Sequence, residues 1–263
     1  MILHWSQIYR VWRRNFIIFK RTWLLSLFWI VLEPLFLLAA IGFGLGAYVK
    51  TVGGLAYVDF YFPGLLCTTS MMISFFEGAY GNFSKLNSSR SVGGGAAMGI
   101  YSVILISPVT VPELTLGELF WAASKGMLSS IGLLVVGLFF GLGHTPRILV
   151  VIPVLFANAW IFSCVGMVVT SYVRNYDQMI FPTSGLIVPM SLFCGTFFPV
   201  NELNSILKSV IYVLPLTHSV EIVRKLFVSG FSVDLLINAF VLVVIGILVT
   251  RFALRRLAYR LQP

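Results

Sequence analysis

The residues best equipped for chemistry sit in "LPLTHSVEIVR", residues 214 to 224, where His218, Glu221 and Arg224 recur three apart. On a helix that spacing lines them along one face, and an imidazole beside a carboxylate suits general acid–base work. An intramembrane transferase would rest on His218 with Glu221. The remaining sequence gives that chemistry little support. A serine nucleophile would want the sharp G-x-S-x-G elbow, which is absent, and a zinc centre needs three or four His, Cys or carboxylate ligands. His4, His144 and His218 fall in separate segments, and Cys67, Cys164 and Cys194 lie in apolar stretches without C-x-x-C spacing. The cysteines read as free core thiols. No G-x-x-x-x-G-K-[ST] loop occurs, nor any Gly-Lys dipeptide, so nucleotide hydrolysis by that route is excluded and no cofactor is expected.

A second set of reactive groups is scattered through apolar sequence: Glu33, Glu77, Glu118 and Lys125. Charges are costly in lipid and face a bundle interior or a cavity, although near the end of a span snorkelling to the interface competes. Glu118 and Lys125 are seven apart, on one helix face two turns away, so they either pair through intermediates or mark one wetted surface. Glu33 lies deeper, beside the kink-forming Pro34. An ion channel or proton-coupled carrier would be built on Glu33, Glu118 and Lys125.

The elements that must hold these residues follow from composition. Of 263 residues, 59% are hydrophobic and 10% charged, and the mean hydropathy is +0.96; soluble domains are about 45–50% apolar and 25% charged. This is the composition of an integral membrane protein. Unpaired backbone is not tolerated in lipid, and strand alternation is absent, so an all-α polytopic bundle is predicted. The net charge of +9 is spread beside apolar spans and not over a soluble domain with interleaved aromatics. It reports topology and lipid headgroups, and nucleic acid is not an expected partner.

Residues 1–22 predict an interfacial helix, with Trp5, Ile8, Trp12, Phe16 and Phe19 on one face and Arg10, Arg13 and Arg14 elsewhere. These residues are too aromatic and basic for a cleavable signal. Six spans are predicted within a single domain, at about 23–47, 59–80, 116–142, 148–172, 179–198 and 235–254. Thr110 and Glu113 have capping-box spacing with Pro112 between them, which starts a helix near residue 111. The short apolar piece before it, ended by Pro108, is either a docking knob or packed under its own bundle. Residues 88–100 are glycine-rich and read as a flexible loop.

Between spans five and six, residues 199–232 predict a re-entrant helical hairpin. Leu203, Ile206, Leu207, Val210, Ile211 and Leu214 make an amphipathic run too short to cross, and Pro215 breaks it. Val220, Val223 and Phe227 then form a second stripe, with His218, Glu221 and Arg224 on a wetter face where Glu221 pairs with Arg224 or Lys225. The charge census orients the chain. Arg10, Arg13, Arg14, Lys20, Arg21, Lys85, Arg90, Arg174, Arg251, Arg255, Arg256 and Arg260 fall on the side of the termini, against Lys50, Arg147, Lys208, Arg224 and Lys225 opposite. The positive-inside bias makes both termini cytoplasmic and the hairpin extracytoplasmic.

Four stretches carry a resemblance: "FFEGAYGNFSKL" (75–86), "ILISPVTVPELTLGELFWAASKG" (104–126), "RNYDQMIFPTSGLIVPMSLFCGTFFPVNEL" (174–203) and "YVLPLTHSVEIVRKLFVSG" (212–230). The chain resembles the permease subunits of type-2 ABC exporters, and among them the nodulation-factor and lipo-oligosaccharide export permeases. The resemblance implies a homodimer in the bacterial inner membrane, with two copies of a separate ATPase subunit that bind the ATP. The cargo it implies is an amphiphilic glycolipid or lipo-oligosaccharide, with a drug or a polysaccharide as the alternative. Such a permease is not an enzyme and has no catalytic residues. The coupling surfaces it implies are the N-terminal helix, with Arg13 and Arg14, and the element at about 100–107, with Tyr101, Ile104, Leu105, Ser107 and Pro108. Residues 199–229 would cap the pathway, and Glu33, Glu77, Glu118, Lys125, His218, Glu221 and Arg224 are its candidate pathway and gate residues. The chain departs from the family between 86 and 101, where relatives carry only a few residues.

Overall fold

Backbone amides that cross lipid must find partners within their own segment, and helices account for nearly all of this chain. The structure, a computed structural model, describes residues 3–87, 99–143, 145–228 and 230–261. Most of the glycine-rich stretch, residues 88–98 with Arg90, lies outside the described residues, as does His144.

Helix α1 (Trp5–Arg21) lies across the end of the bundle and leads into α2 (Trp23–Ala47). The α2 ladder is irregular, with π-helical turns at Phe28–Leu32 and Leu38–Gly44. Pro34 has no N–H, so the carbonyl of Ile30 one turn earlier loses its helical donor, and the Ser129 hydroxyl donates to it instead. A two-stranded antiparallel ribbon follows, β1 (Thr51–Val52) with β2 (Leu55–Ala56). Gly53 and Gly54 form its turn at φ 58° and 82°, values a side chain would strain.

Helix α3 (Tyr57–Phe76) continues through a π-turn, Glu77–Gly81, into α4 (Asn82–Asn87). Next come α5 (Ile100–Leu105), α6 (Val111–Phe139) and α7 (Ile148–Tyr172). A broken helix, α8 (177–193), precedes α9 (Ser205–Ile211), α10 (Pro215–Val228) and α11 (Val233–Leu261). The helix predicted to begin near 111 does so: the Thr110 amide and hydroxyl both donate to the Glu113 carboxylate, and the cap is reinforced by the amide of His4.

The chain is thus an all-α polytopic membrane protein. Among the described residues, α2, α6, α7 and α11 are long and apolar enough to cross a membrane, and α9 with α10, bent by 90° at Pro215, would make a fifth crossing if they form one span. The expected spans at 59–80 and 179–198 are not among them. Helix α3 runs through the middle of the bundle, where its polar residues meet protein and not lipid. Thr68, Thr69, Ser70 and Ser74 are all buried in it, and Ser70 donates to the Leu155 carbonyl of α7. The stretch at 179–198 is cut by Pro182, a π-turn at Thr183–Ile187 and Pro189, and stops at Phe193 before Gly195 turns the chain.

Only 18% and 17% of the apolar windows of α2 and α11 are buried, against 44% in α6 and α7. The first and last of these helices are therefore the outer ones. At one end α1 lies on α6, where a side chain at Gly117 would put its Cβ 2.6 Å from Val11 Cβ. The C-terminal Leu261 packs with Val11, Tyr101 and Leu114 at that same end. The α9–α10 pair closes the opposite end, with Phe62 of α3 against Phe227 of α10.

The buried face of α1 differs from the expected one. Ile8, Val11 and Asn15 are buried, whereas Trp5 is 71% exposed. The stripe is rotated because Arg14 and Asn15 turn inward to a carboxylate that no local pattern reveals.

Candidate functional site

Two polar clusters stand at opposite ends of the bundle. At the α1 end, Glu118 of α6 is wholly buried and acts as a hub. Arg14 Nη2 reaches Glu118 Oε1 at 2.9 Å, Asn15 Nδ2 donates to Oε2 at 2.9 Å, and Lys85 Nζ of α4 meets Oε2 at 2.6 Å. Glu77, in the π-turn after α3, accepts from Trp121 Nε1 and Lys125 Nζ, each at 2.8 Å, and lies 3.8 Å from Lys85 Nζ. Glu118 and Lys125 are therefore joined through two intermediates, Lys85 and Glu77. Two carboxylates face three cations, which makes the cluster net positive.

The π-turn gives Glu77 its place. Its exposed carbonyls are taken up from the side: Thr170 of α7 donates to the carbonyls of Gly78 and Ala79, and Asn82 Nδ2 donates to Gly78. Asn82 Oδ1 in turn accepts from the Tyr101 hydroxyl at 2.8 Å, which ties α5 into the same network. Burial, and then the nearby Glu118 charge, pushes the Tyr101 phenol well above its ordinary pKa.

Of the expected coupling residues, Arg13 is exposed on α1 while Arg14 is committed to Glu118. Tyr101 is buried, Ile104 and Leu105 are half-buried, and Ser107 and Pro108 are exposed. Helix α5 thus divides its faces. Tyr101 packs under the bundle, and Ile100, Val103 and Ile106, at 42%, 55% and 72% exposure, form the apolar outward face. Val103 and Ile106 were not among the expected contacts, because the facing of a six-residue helix is not fixed by periodicity alone.

Beside Glu77 and Lys125 opens a cavity of about 850 Å³ between the start of α2 and the end of α3, lined also by Phe28, Ile30, Phe76 and Tyr80. Glu33 borders it from α2 and, among the described residues, has no hydrogen-bond or ion-pair partner. The structure thus gathers Glu33, Glu77 and Lys125 around one space with an apolar wall.

At the other end, the expected wet face of α10 is turned inward. His218 is only 6% exposed, because the α10 face it occupies meets the start of α11. His218 Nδ1 lies 2.8 Å from Asn238 Oδ1 and Nε2 lies 2.9 Å from the Tyr212 carbonyl, so both ring nitrogens are engaged. Asn238 Nδ2 and the Tyr212 hydroxyl then donate to the two oxygens of Glu221, at 3.0 and 2.7 Å. This closes a ring of four hydrogen bonds. His218 and Glu221 do not touch, and neither imidazole nitrogen is left open to serve as a base.

The expected Glu221 pairing with Arg224 or Lys225 is replaced in the structure. Arg224 donates to the carbonyls of Phe60 and Gly195 and stacks 3.9 Å over the Phe60 ring. Lys225 pairs with Asp234 at 2.9 Å on the rim. A cavity of about 560 Å³ is lined by these groups and by Asn201. Sequence reasoning missed Asn15, Lys85, Trp121, Tyr212 and Asn238. Asn238 alone carried a signal, as a lone amide in "LLINAFVL". Among the described residues no group of three or more His, Cys, Asp or Glu could hold a metal ion.

Comparison with known proteins bears on both clusters. Nodulation protein J of Sinorhizobium fredii (strain NBRC 101917 / NGR234) is 33% identical over 220 residues, 84% of this chain and 80% of its own length. Nodulation protein J of Rhizobium meliloti (strain 1021) is 33% identical over 226 residues, 86% of this chain and 82% of its own. Inner membrane transport permease YadH of Escherichia coli (strain K12) is 22% identical over 244 residues, 93% and 91% of the two chains. Residues 6–228, from the start of α1 to the end of α10, match the ABC-2 type transporter family and include both polar clusters except Asp234 and Asn238, and it is to this family that the chain belongs.

Proposed function

We propose that this chain is the permease subunit of an ABC exporter that moves an amphiphilic glycolipid or lipo-oligosaccharide, of the nodulation-factor kind, out across the bacterial inner membrane. A drug or a polysaccharide is the alternative cargo. The subunit is non-catalytic and holds no cofactor. It works as a homodimer on two copies of a separate ATPase, crosses the membrane six times with α3 and α8 counted, and keeps both termini in the cytoplasm.

The observation that carries this reading is the interlock at the α1 end. One buried carboxylate, Glu118, ties α1 and α4 to α6, and Tyr101 ties α5 to α4. A push on α1 or on the outward face of α5 is thereby delivered to α3 and α6 as a rigid-body displacement. The cavity bordered by Glu33, Glu77 and Lys125 adjoins the same polar cluster through Glu77 and Lys125, and it suits a polar headgroup with an attached acyl chain. Glu33, exposed on an outer helix, supports a second copy or an aqueous path against α2, because a lone charge facing lipid is costly. Arg13, Val103, Ile106, Ser107 and Pro108 supply the surface toward the ATPase. The α9–α10 pair closes the exit, with His218, Glu221 and Arg224 holding it shut.

The test is reconstitution in vesicles with a labelled lipo-oligosaccharide. ATP-driven movement is expected only when a partner ABC ATPase is present; robust ATP-driven movement by this chain alone overturns the proposal.

A further inference from the structure

On the outer flank, away from both clusters, α6, α7 and α11 enclose a groove of about 470 Å³. Its floor is aromatic. Phe120 and Trp160 meet edge to face with centroids 4.7 Å apart, and Phe156 lies 6.3 Å from Trp160. The indole N–H of Trp160 donates to Thr250, whose hydroxyl donates to the Gly246 carbonyl, so the polar edges are consumed inside the protein. What remains facing the groove is apolar. Gly246 lines it beside open space, since a Cβ there would meet only Ile161 Cγ1, at 3.7 Å, and a larger side chain would have the groove to occupy.

One end of the groove is charged. Arg251 lines it and is exposed, and Arg255, four residues on, is exposed on the same face of α11. Among the described residues neither arginine has a hydrogen-bond or ion-pair partner. Their depth is set by α1: Phe120 packs 6.4 Å from Trp5, and Trp5 and Tyr9, at 71% and 58% exposure, are the aromatic residues that gather at headgroup level. From Arg251 back to Leu242 the groove follows about 13 Å of helix, close to the ~15 Å hydrocarbon depth of one leaflet.

We propose that this groove holds one acyl chain of an anionic phospholipid from the leaflet on the α1 side, with the phosphate between Arg251 and Arg255. The charge complementarity and the matched depth single out this occupant: an apolar slot one leaflet deep, topped by two guanidinium groups, fits a net-anionic headgroup better than a zwitterionic one, whose phosphate charge is offset by its own ammonium. The site lies apart from the cavity assigned to cargo and does not depend on what is transported.

Native mass spectrometry of the full-length protein, exchanged into mixed micelles of equal phosphatidylglycerol and phosphatidylcholine, tests the assignment. Phosphatidylglycerol should be retained selectively, and soluble glycerol phosphate should not displace it. Arg251→Gln and Arg255→Gln should each cut retention about fivefold. Gly246→Leu should fill the slot and abolish retention of that lipid while leaving the melting temperature and oligomeric state unchanged. Equal retention of the two lipids, or the same retention in wild type and the arginine variants, overturns the proposal. So does efficient disulfide formation between copies through Val243→Cys, since the groove would then be a protein interface. If Gly246→Leu fails to fold, the arginine variants decide alone.

Discussion

The two ends of the bundle handle buried charge in opposite ways. At the α1 end, carboxylates are met by full positive charges drawn from other elements: Glu118 by Arg14 and Lys85, Glu77 by Lys125 and Lys85. At the α9–α10 end, Glu221 is met by a phenol and an amide, and Arg224 by two carbonyls and an aromatic face. The difference decides what each end can do. An ion-pair hub collapses if one member leaves, because a buried charge is stranded, so it locks its elements together as one body. A ring of hydrogen bonds to mostly neutral groups loses one bond at a time and is opened in modest steps. The first suits a region that passes on force, the second a region that opens and closes.

The largest expected effect is at the hub. Glu118→Gln leaves the Arg14 guanidinium without its carboxylate and takes from Lys85 the nearer of its two carboxylates, and should cost about 3–5 kcal/mol, read as a loss of melting temperature in detergent, together with loss of ATP-driven transport. Arg224→Met should cost about 1–3 kcal/mol, through the carbonyls of Phe60 and Gly195 left without donors. His218→Ala opens two bonds of the ring and should cost about 1–2 kcal/mol, with transport reduced only several-fold. An activity loss of several orders of magnitude in that variant would restore the transferase reading. Smallest is Lys225→Ala on the rim, where Asp234 is 69% exposed; its effect should stay within about 0.5 kcal/mol. A cost at His218 equal to that at Glu118 would erase the contrast between the ends.

The α1 end was partly legible. The capping box at Thr110 and Glu113 is a local pattern, and it starts α6 where the spacing says it should. That Glu118 and Lys125 are linked through intermediates was one of two readings open to the sequence, yet the intermediates come from positions 77 and 85 and no spacing names them. The α9–α10 end was legible as two short helices broken at Pro215, but its polar face was read as wet. His218 is buried because the start of α11 covers it, and nothing within 214–224 encodes that neighbour.

The sequence by itself determined that the chain is a helical membrane protein and that a helix starts at 111. These follow from composition and from interactions within a few residues. The tertiary structure alone decided that α3 is an enclosed central helix whose Ser70 hydroxyl meets the Leu155 carbonyl of α7, and that Arg14 faces inward. It also decided that Glu221 answers to Asn238 and not to Arg224. Each of these depends on which elements come to lie side by side, and in a bundle that choice is made by packing across distances of tens to a hundred residues along the chain, where local periodicity carries no information.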